Sequence, residues 1–368
     1  MSVYYCRKCV FPNTRPFLTF DDCGVCSACN NQIKKYADWV QREKEFIELV
    51  ECVKSKRKTY DVVVPVSGGK DSIYQVYTAL KYGLKVLAVS VDYGIKTDIG
   101  RHNLEIIPNM GVDLITFRPN QKLHKGLIRS CFLDWGDPDV FSHSLLYAYP
   151  MHVAKEKDIP LVLYGENPAM EYIGDMSFAQ DSKLSTGWFY KYVINEVYYI
   201  AILSAFRLAA QELQNYCPPN VFSRTRFLGY YVPWFSENNK ELALSLGFKT
   251  VEKDVGTYRN FVGIDEVINR VHQYMKLVVL GYGRATDHAC EDIRVGKMTR
   301  DQAIKLVIEN DVVDLDESIK EMFCKHINIS VEQFDSIVNK FRDNNKMWSM
   351  ENGKYILNRD FNQFKESK

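Results

Sequence analysis

Residues 67–72 read Ser67-Gly68-Gly69-Lys70-Asp71-Ser72, and they stand directly between a strand pattern and a helix pattern. Upstream, Asp61–Val66 is a short Val-rich run of the kind buried in a parallel sheet. Downstream, Asp71–Tyr82 reads as a helix closed by Gly83. A loop in that position aims backbone N–H groups at one point and adds the positive end of a helix dipole. Two glycines let the backbone approach an anion with no Cβ in the way. Ser67 and Ser72 add hydroxyl donors, and Lys70 adds a cation. Asp71 would repel a phosphate directly, so the role expected of it is to hold a Mg²⁺ that bridges phosphates. The loop has neither the Walker A spacing nor the dinucleotide G-x-G-x-x-G.

Outward from this loop the chain alternates. Lys85–Val91 is a second strand, and Thr97 or Asp98 caps a helix running to Met110 and ending at Gly111. Val112–Phe117 is a third strand, residues 121–157 form an interrupted helical region, and Ile159–Tyr164 is a fourth strand. This order predicts an α/β fold with a parallel sheet. Ligands of such sheets gather at the carboxyl ends of the strands. Asp92 ends the second strand, where it either meets the nucleoside or makes a turn. Gly165-Glu166-Asn167 ends the fourth, where Glu166 and Asn167 are in reach of a Mg²⁺ or of the reacting phosphate. After about residue 190 strand signals fade, and 192–215, 236–247, 263–280, 299–309 and 316–342 read as helices. Thr299 and Gln302 have capping-box spacing. The expected organisation is a metal module over 1–32, a helical connector over 33–58, the nucleotide domain over 59–190, and a mainly helical region over 191–368 that completes the active site.

The 368 residues suffice for one large domain with appendages, or for two. Hydrophobic residues are 46%, charged residues 25%, and the net charge of +1 gives no basic excess for a nucleic-acid partner. The N-terminus lacks a basic-then-apolar signal pattern, and no apolar run approaches the roughly 20 residues of a membrane span. A cytoplasmic location is therefore expected, with no membrane partner. In a reducing compartment ten cysteines are not a disulfide framework.

Five of the ten fall within the first 29 residues. Cys6-x-x-Cys9 and Cys26-x-x-Cys29 are separated by 16 residues, a zinc-site spacing. Tetrahedral zinc takes four thiolates, and each C-x-x-C turn presents two. Cys23 also forms C-x-x-C with Cys26, so spacing alone leaves two choices for the second pair. A closed Cys₄ site would be structural and would stabilise a segment too short to own a core. A redox or iron–sulfur role is the rival. Cys52, Cys131, Cys217, Cys290 and Cys324 are scattered and read as small buried hydrophobes.

The hexapeptide resembles the PP-loop of the ATP pyrophosphatases, S-G-G-x-D-S. The resemblance implies a HUP-type (adenine nucleotide α-hydrolase-like) fold that cleaves ATP between its α- and β-phosphates. Nearly the whole chain resembles the N-acetyl sugar amidotransferase family of bacterial surface-polysaccharide and nonulosonic-acid pathways. That resemblance rests on the Cys6–Cys9 pair, Pro12-Asn13-Thr14-Arg15-Pro16, Gly24-Val25-Cys26-Ser27-Ala28-Cys29, and the loop. It continues through Gly165-Glu166-Asn167, Gly281-Tyr282-Gly283-Arg284-Ala285-Thr286-Asp287-His288, Asp292-Ile293-Arg294 and Thr299-Arg300. The family pattern places a Lys shortly before the aromatic–Gly pair; here that place holds Val279, with Lys276 three residues earlier.

The resemblance implies Cys26 and Cys29 as the second zinc pair. It implies ATP, Mg²⁺ and Zn²⁺ as cofactors, and an acetamido sugar or nucleotide-sugar converted into its acetamidino derivative. Activation by AMP answers a chemical need, since an amide oxygen leaves poorly. Ammonia is expected from a separate glutaminase and ammonia-channel protein, because no glutaminase nucleophile motif occurs. The glycines after an apolar helix would let a loop close over ATP. Arg284 would neutralise departing pyrophosphate, and His288 would take a proton from the attacking nitrogen; surface ion pairs at a helix cap are the plainer alternative. Tyr172, Lys276, Asp287 and Arg294 are substrate-side candidates. Tyr230, Tyr231 and Trp234 either stack on a sugar or pack a core. The rival function is tRNA thiolation. It is disfavoured because no C-x-x-C follows residue 29 and the chain is not basic.

Overall fold

Val62-Val63-Val64-Pro65 is buried at every residue, as expected of a strand flanked on both faces. The computed structural model describes residues 2–365 other than 33–37, 168–170, 172, 175–181, 195–199, 203, 205–209, 255, 312 and 313. Five strands, β1 (Val62–Pro65), β2 (Val86–Val91), β3 (Asp113–Phe117), β4 (Leu161–Tyr164) and β5 (Thr225–Phe227), form one sheet in the order β3-β2-β1-β4-β5. All neighbours pair in parallel. The chain moves outward from β1 to β3, then returns to the other side of β1 at β4. This reversal opens a crevice at the carboxyl ends of β1 and β4.

The strands divide their residues between two cores with period two. Val62, Val64, Ala88 and Leu163 face one apolar cluster, while Val63, Leu87, Val89 and Val162 face the other. The first cluster is covered by α1 (Trp39–Lys54) and α2 (Lys70–Lys81), and the second by α4 (Gln121–Trp135) and α5 (Val140–Glu156). Between them α3 (Asp98–Leu104) starts at Thr97, whose side chain accepts from the Gly100 N–H. The helix expected to reach Met110 breaks at Glu105, and a second turn, Ile106–Asn109, carries Pro108. Proline has no N–H to bond back to Leu104, so a continuous helix is not available.

The sheet does not end near residue 190. β5 pairs with β4 from Val162↔Thr225 to Tyr164↔Phe227. Three residues are too few for a readable alternation, which is why pattern alone misses it. Beyond β5, α6 (Ser236–Ser245) packs on α2, so the expected boundary falls inside the sheet domain. The rest is helical as expected: α7 (Val267–Leu280), α8 (Arg284–Arg294), α9 (Arg300–Asp311), α10 (Glu317–Ile327) and α11 (Val331–Asp343). The expected 316–342 helix is two helices, divided at Asn328 in the left-handed region (φ 57°) and restarted by a Ser330–Gln333 capping box. A hairpin follows, β6 (Trp348–Glu351) and β7 (Lys354–Leu357), turning on Asn352-Gly353 with positive φ at both. That dipeptide is the sequence signal that marks it.

The N-terminal segment packs against the C-terminal helices. Its buried residues share one cluster with Ala289, Cys290, Ala303, Val307 and Phe361, and the Tyr5 N–H donates to the Gln363 carbonyl at 2.8 Å. Among the described residues, no helix is long and apolar enough to cross a membrane.

Candidate active site and metal centre

Pairing of β1 ends where the Val66 N–H donates to the Val89 carbonyl, and the chain turns into residues 67–72. The turn is closed by its own side chains. The Ser67 N–H donates to Ser72 Oγ at 2.9 Å, and the Gly69 N–H donates to Ser67 Oγ at 3.2 Å. Lys96 Nζ donates to the Ser67 carbonyl at 3.2 Å. Gly68 has φ +95°, and a Cβ there would meet the Leu104 nitrogen of α3 at 2.8 Å, so glycine is required. Gly69 caps α2 and makes no side-chain cap of its own.

Asp71, in the first turn of α2, is held from two sides. Lys70 Nζ lies 2.6 Å from Oδ2, and Asn239 Nδ2 donates to Oδ1 at 2.8 Å. Asn239 comes from α6 and is fully buried. No motif announces it, since it sits in an ordinary polar helix sequence.

A cleft of three adjoining cavities, each with Asp71 in its wall, lies over the loop. Ser67, Gly69, Lys70, Asp71 and Ser72 line it from the sheet side, and Gly165 and Glu166 line it from the end of β4. Arg284, His288 and Arg294 line it from α8. Lys70 and Asp71 stand more than 200 positions before Arg284, and the fold brings them to one cavity. Gly165 leaves room for Trp234, whose ring a Cβ would meet at 3.0 Å. Trp234 borders the cleft but is otherwise packed with Tyr231 in the core, and Tyr230 packs against the same core. Cleft residues that no motif announces include Lys96, Arg259 and Glu266. Arg259 is bound to Glu291 and Asp292, each at 2.8 Å. Burial pushes the Glu266 carboxyl up to about 8.

Four expected site residues stand elsewhere. Asp92 makes a turn: its Oδ1 accepts the Gly94 N–H at 2.8 Å and its Oδ2 faces Arg118 at 3.6 Å. Asn167 is buried and accepts the Trp188 indole N–H at 3.2 Å. Asp287 and Lys276 pair with each other inside the protein, and Arg15 Nη1 joins Asp287 at 2.5 Å. Tyr172 lies outside the described residues.

Burial alone would raise the Asp287 carboxyl, but Lys276, Arg15 and Arg284 outweigh it and hold it well below its ordinary value. Burial brings Lys276 down to about 8 against the pull of Asp287, so both remain charged at neutral pH. Removing Asp287 would take the shared carboxylate away from two buried cations. Asp287→Ala should therefore cost about 3 kcal/mol in urea unfolding. The wild-type contribution is complete above the ordinary carboxyl value near 3.8 and drains away as pH falls below it. The variant's stability should thus depend less on pH on the acid side, and an unchanged acid limb would refute the ion-cluster role.

The candidate metal centre shares no residue with the cleft. The Sγ atoms of Cys6, Cys9, Cys26 and Cys29 all lie within 4.8 Å of one another and are buried. Cys9 and Cys26 Sγ stand 3.7 Å apart, close to the ~3.8 Å that tetrahedral zinc with ~2.3 Å Zn–S bonds requires. Backbone N–H groups of Lys8, Cys9 and Cys26 point at Cys6 Sγ at 3.2–3.4 Å. Without a cation the four thiols cannot all ionise. Hydrogen bonds from Cys26, Cys29 and Cys9 hold Cys6 far below its ordinary value, while burial pushes Cys9 up and the bond to Cys26 pushes Cys29 up. Cys23 is exposed and outside the group, which resolves the choice left by spacing.

Residues 255–362 match the family described as LPS biosynthesis protein WbpG-like, C-terminal domain. The match takes in α7, α8 and the cleft wall they carry. No curated protein matches the chain. Among solved structures, the chain is similar to an NAD+ synthetase from Burkholderia pseudomallei at 14% identity, over 60% of this chain and 91% of that one, with a TM-score of 0.27.

Proposed function

We propose that this protein is an ATP-dependent amidotransferase of surface-polysaccharide biosynthesis. It adenylates the N-acetyl carbonyl oxygen of an acetamido sugar or nucleotide-sugar, and ammonia then displaces AMP to give an acetamidino sugar. The observation that carries the reading is the meeting, in one cleft, of the Ser67–Ser72 loop with Arg284, His288 and Arg294 from the segment similar to LPS biosynthesis proteins.

The roles follow from position. The loop N–H groups and Lys70 bind the phosphates of ATP. Asp71, with Glu166 across the crevice, presents carboxylate oxygens fit for Mg²⁺, which when bound would neutralise phosphate charge. Arg284 offers a fixed cation toward the departing pyrophosphate. Arg294, which also lines the cleft, is assigned to the sugar substrate. Ammonia is taken to come from a separate glutaminase. The Cys₄ cluster is read as structural zinc.

The test is product identity. With Mg·ATP, ammonium at raised pH and an acetamido nucleotide-sugar, the protein should release AMP and pyrophosphate in step with loss of the sugar. Release of ADP and phosphate would overturn the reading, and so would AMP formation coupled to sulfur transfer onto RNA.

A further inference from the structure

Thr257 and His288 form a buried pair in the cleft wall. Thr257 Oγ1 and His288 Nδ1 are 2.6 Å apart. The residues are 4% and 3% exposed. The same hydroxyl oxygen already accepts the Arg259 backbone N–H at 3.1 Å. A hydroxyl has one proton to give. Among the described residues, His288 Nδ1 is the acceptor within its reach. Donation of the O–H to Nδ1 keeps that proton paired in a place too buried to leave it without an acceptor. Nδ1 is then unprotonated, and a neutral imidazole must carry its hydrogen on Nε2. His288 lines the cleft beside Lys70, Arg284 and Arg294.

We propose that His288 is a hydrogen-bond donor through Nε2–H to a phosphoryl oxygen of the bound nucleotide, locked in that tautomer by Thr257. This rests on reading the cleft as an ATP site, and it replaces the role of proton acceptor expected from sequence. A base would need its free lone pair turned to the cleft. Here the lone pair is on Nδ1 and is spent on Thr257. The surrounding charges agree. Burial, then Arg284 and Arg259, push the imidazole well below its ordinary value; Lys276 acts in the same direction and Asp287 in the opposite one. His288 therefore stays neutral at physiological pH. It can donate to an anion without gaining a proton, and no proton transfer is asked of it. Thr257 is a positioning residue, acting only through His288.

The experiment uses zinc-loaded full-length protein labelled with ¹⁵N-histidine, with the His288 signals assigned by loss in His288→Gln. Long-range ¹H–¹⁵N spectra should show the Nε2–H tautomer of His288 from about pH 6 to 8, with no imidazolium form. Adding Mg·ATP should shift the Nε2–H proton downfield. Thr257→Val should release the lock and populate Nδ1–H. In direct binding of Mg·ATP, His288→Gln, which keeps an N–H donor at that reach, should stay within threefold of wild type, while His288→Ala should weaken about tenfold. An Nδ1–H tautomer or an imidazolium in the wild type would overturn the proposal, even if ATP binds. Equal losses in the Gln and Ala variants would also overturn it. Failure of the wild type to bind Mg·ATP at all would overturn the nucleotide reading together with this one, and is told apart by the wild-type titration alone.

Discussion

Purified protein should carry about one zinc per chain, and Cys26→Ser should lose it and at least about 4 kcal/mol of stability. The loss is large because this segment has no long helix or strand of its own. From residue 2 to 30 its structure is turns, isolated bridges and the single turn Ser27–Asn30. The cluster also fixes what surrounds it. Arg300 Nε donates to the Cys9 carbonyl at 3.1 Å, and Ser27 Oγ donates to the Ile173 carbonyl at 2.6 Å. Arg15, six residues after Cys9, reaches Asp287 in the first turn of α8, next to His288. Zinc loss should therefore loosen the cleft wall as well as the N-terminus. Cys23→Ser is the control, since its thiol is exposed and outside the group, and it should leave metal and melting temperature unchanged. Metal analysis and thermal unfolding with and without chelator give the answer. Iron with labile sulfide, or a Cys26→Ser protein that keeps its zinc, would refute the assignment.

Legibility in the sequence followed the range of the forces involved. The loop was readable because six adjacent residues carry both its conformation and its chemistry. Strands β1, β2 and β4 were readable because burial on both faces demands unbroken apolar runs. The four-cysteine cluster was readable because two C-x-x-C turns are local, and the resemblance had already pointed to Cys29 over Cys23, as the fold has it. What failed was long-range. β5 is a strand because β4 offers it an edge, and its three residues hold no period of their own. Asp92 and Asp287 were polar groups in promising places, but their partners, Arg118 and Arg15, are fixed only by tertiary packing. Asn239 and Arg259 reach the site from unremarkable stretches. His288 was found as a residue, yet its tautomer depends on Thr257, which lies 31 positions away.

Asp71→Asn should lower kcat/KM for the AMP-forming reaction about a thousandfold, with a melting temperature close to wild type. The substitution is nearly isosteric. Its amide oxygen can still accept from Asn239, which now bonds Oδ1 at 2.8 Å, so α2 and α6 remain joined. The side chain is one-third exposed, so losing its pairing with Lys70 removes a partly solvated ion pair of small net worth. What disappears is negative charge at the one place where the loop, the β4 end and α8 converge. That charge is of no use to a phosphate by itself, since it repels one. Its value lies in holding a cation against the phosphates, so the variant should need far more Mg²⁺ to reach its residual rate. Asn239→Ala separates position from charge: it keeps the carboxylate but frees one oxygen, and should cost only about tenfold. Initial rates of pyrophosphate release across a Mg²⁺ series measure both. An Asp71→Asn enzyme within threefold of wild type at low Mg²⁺ would remove Asp71 from the catalytic set, and the loop would then bind nucleotide through its backbone, Lys70 and the serines alone.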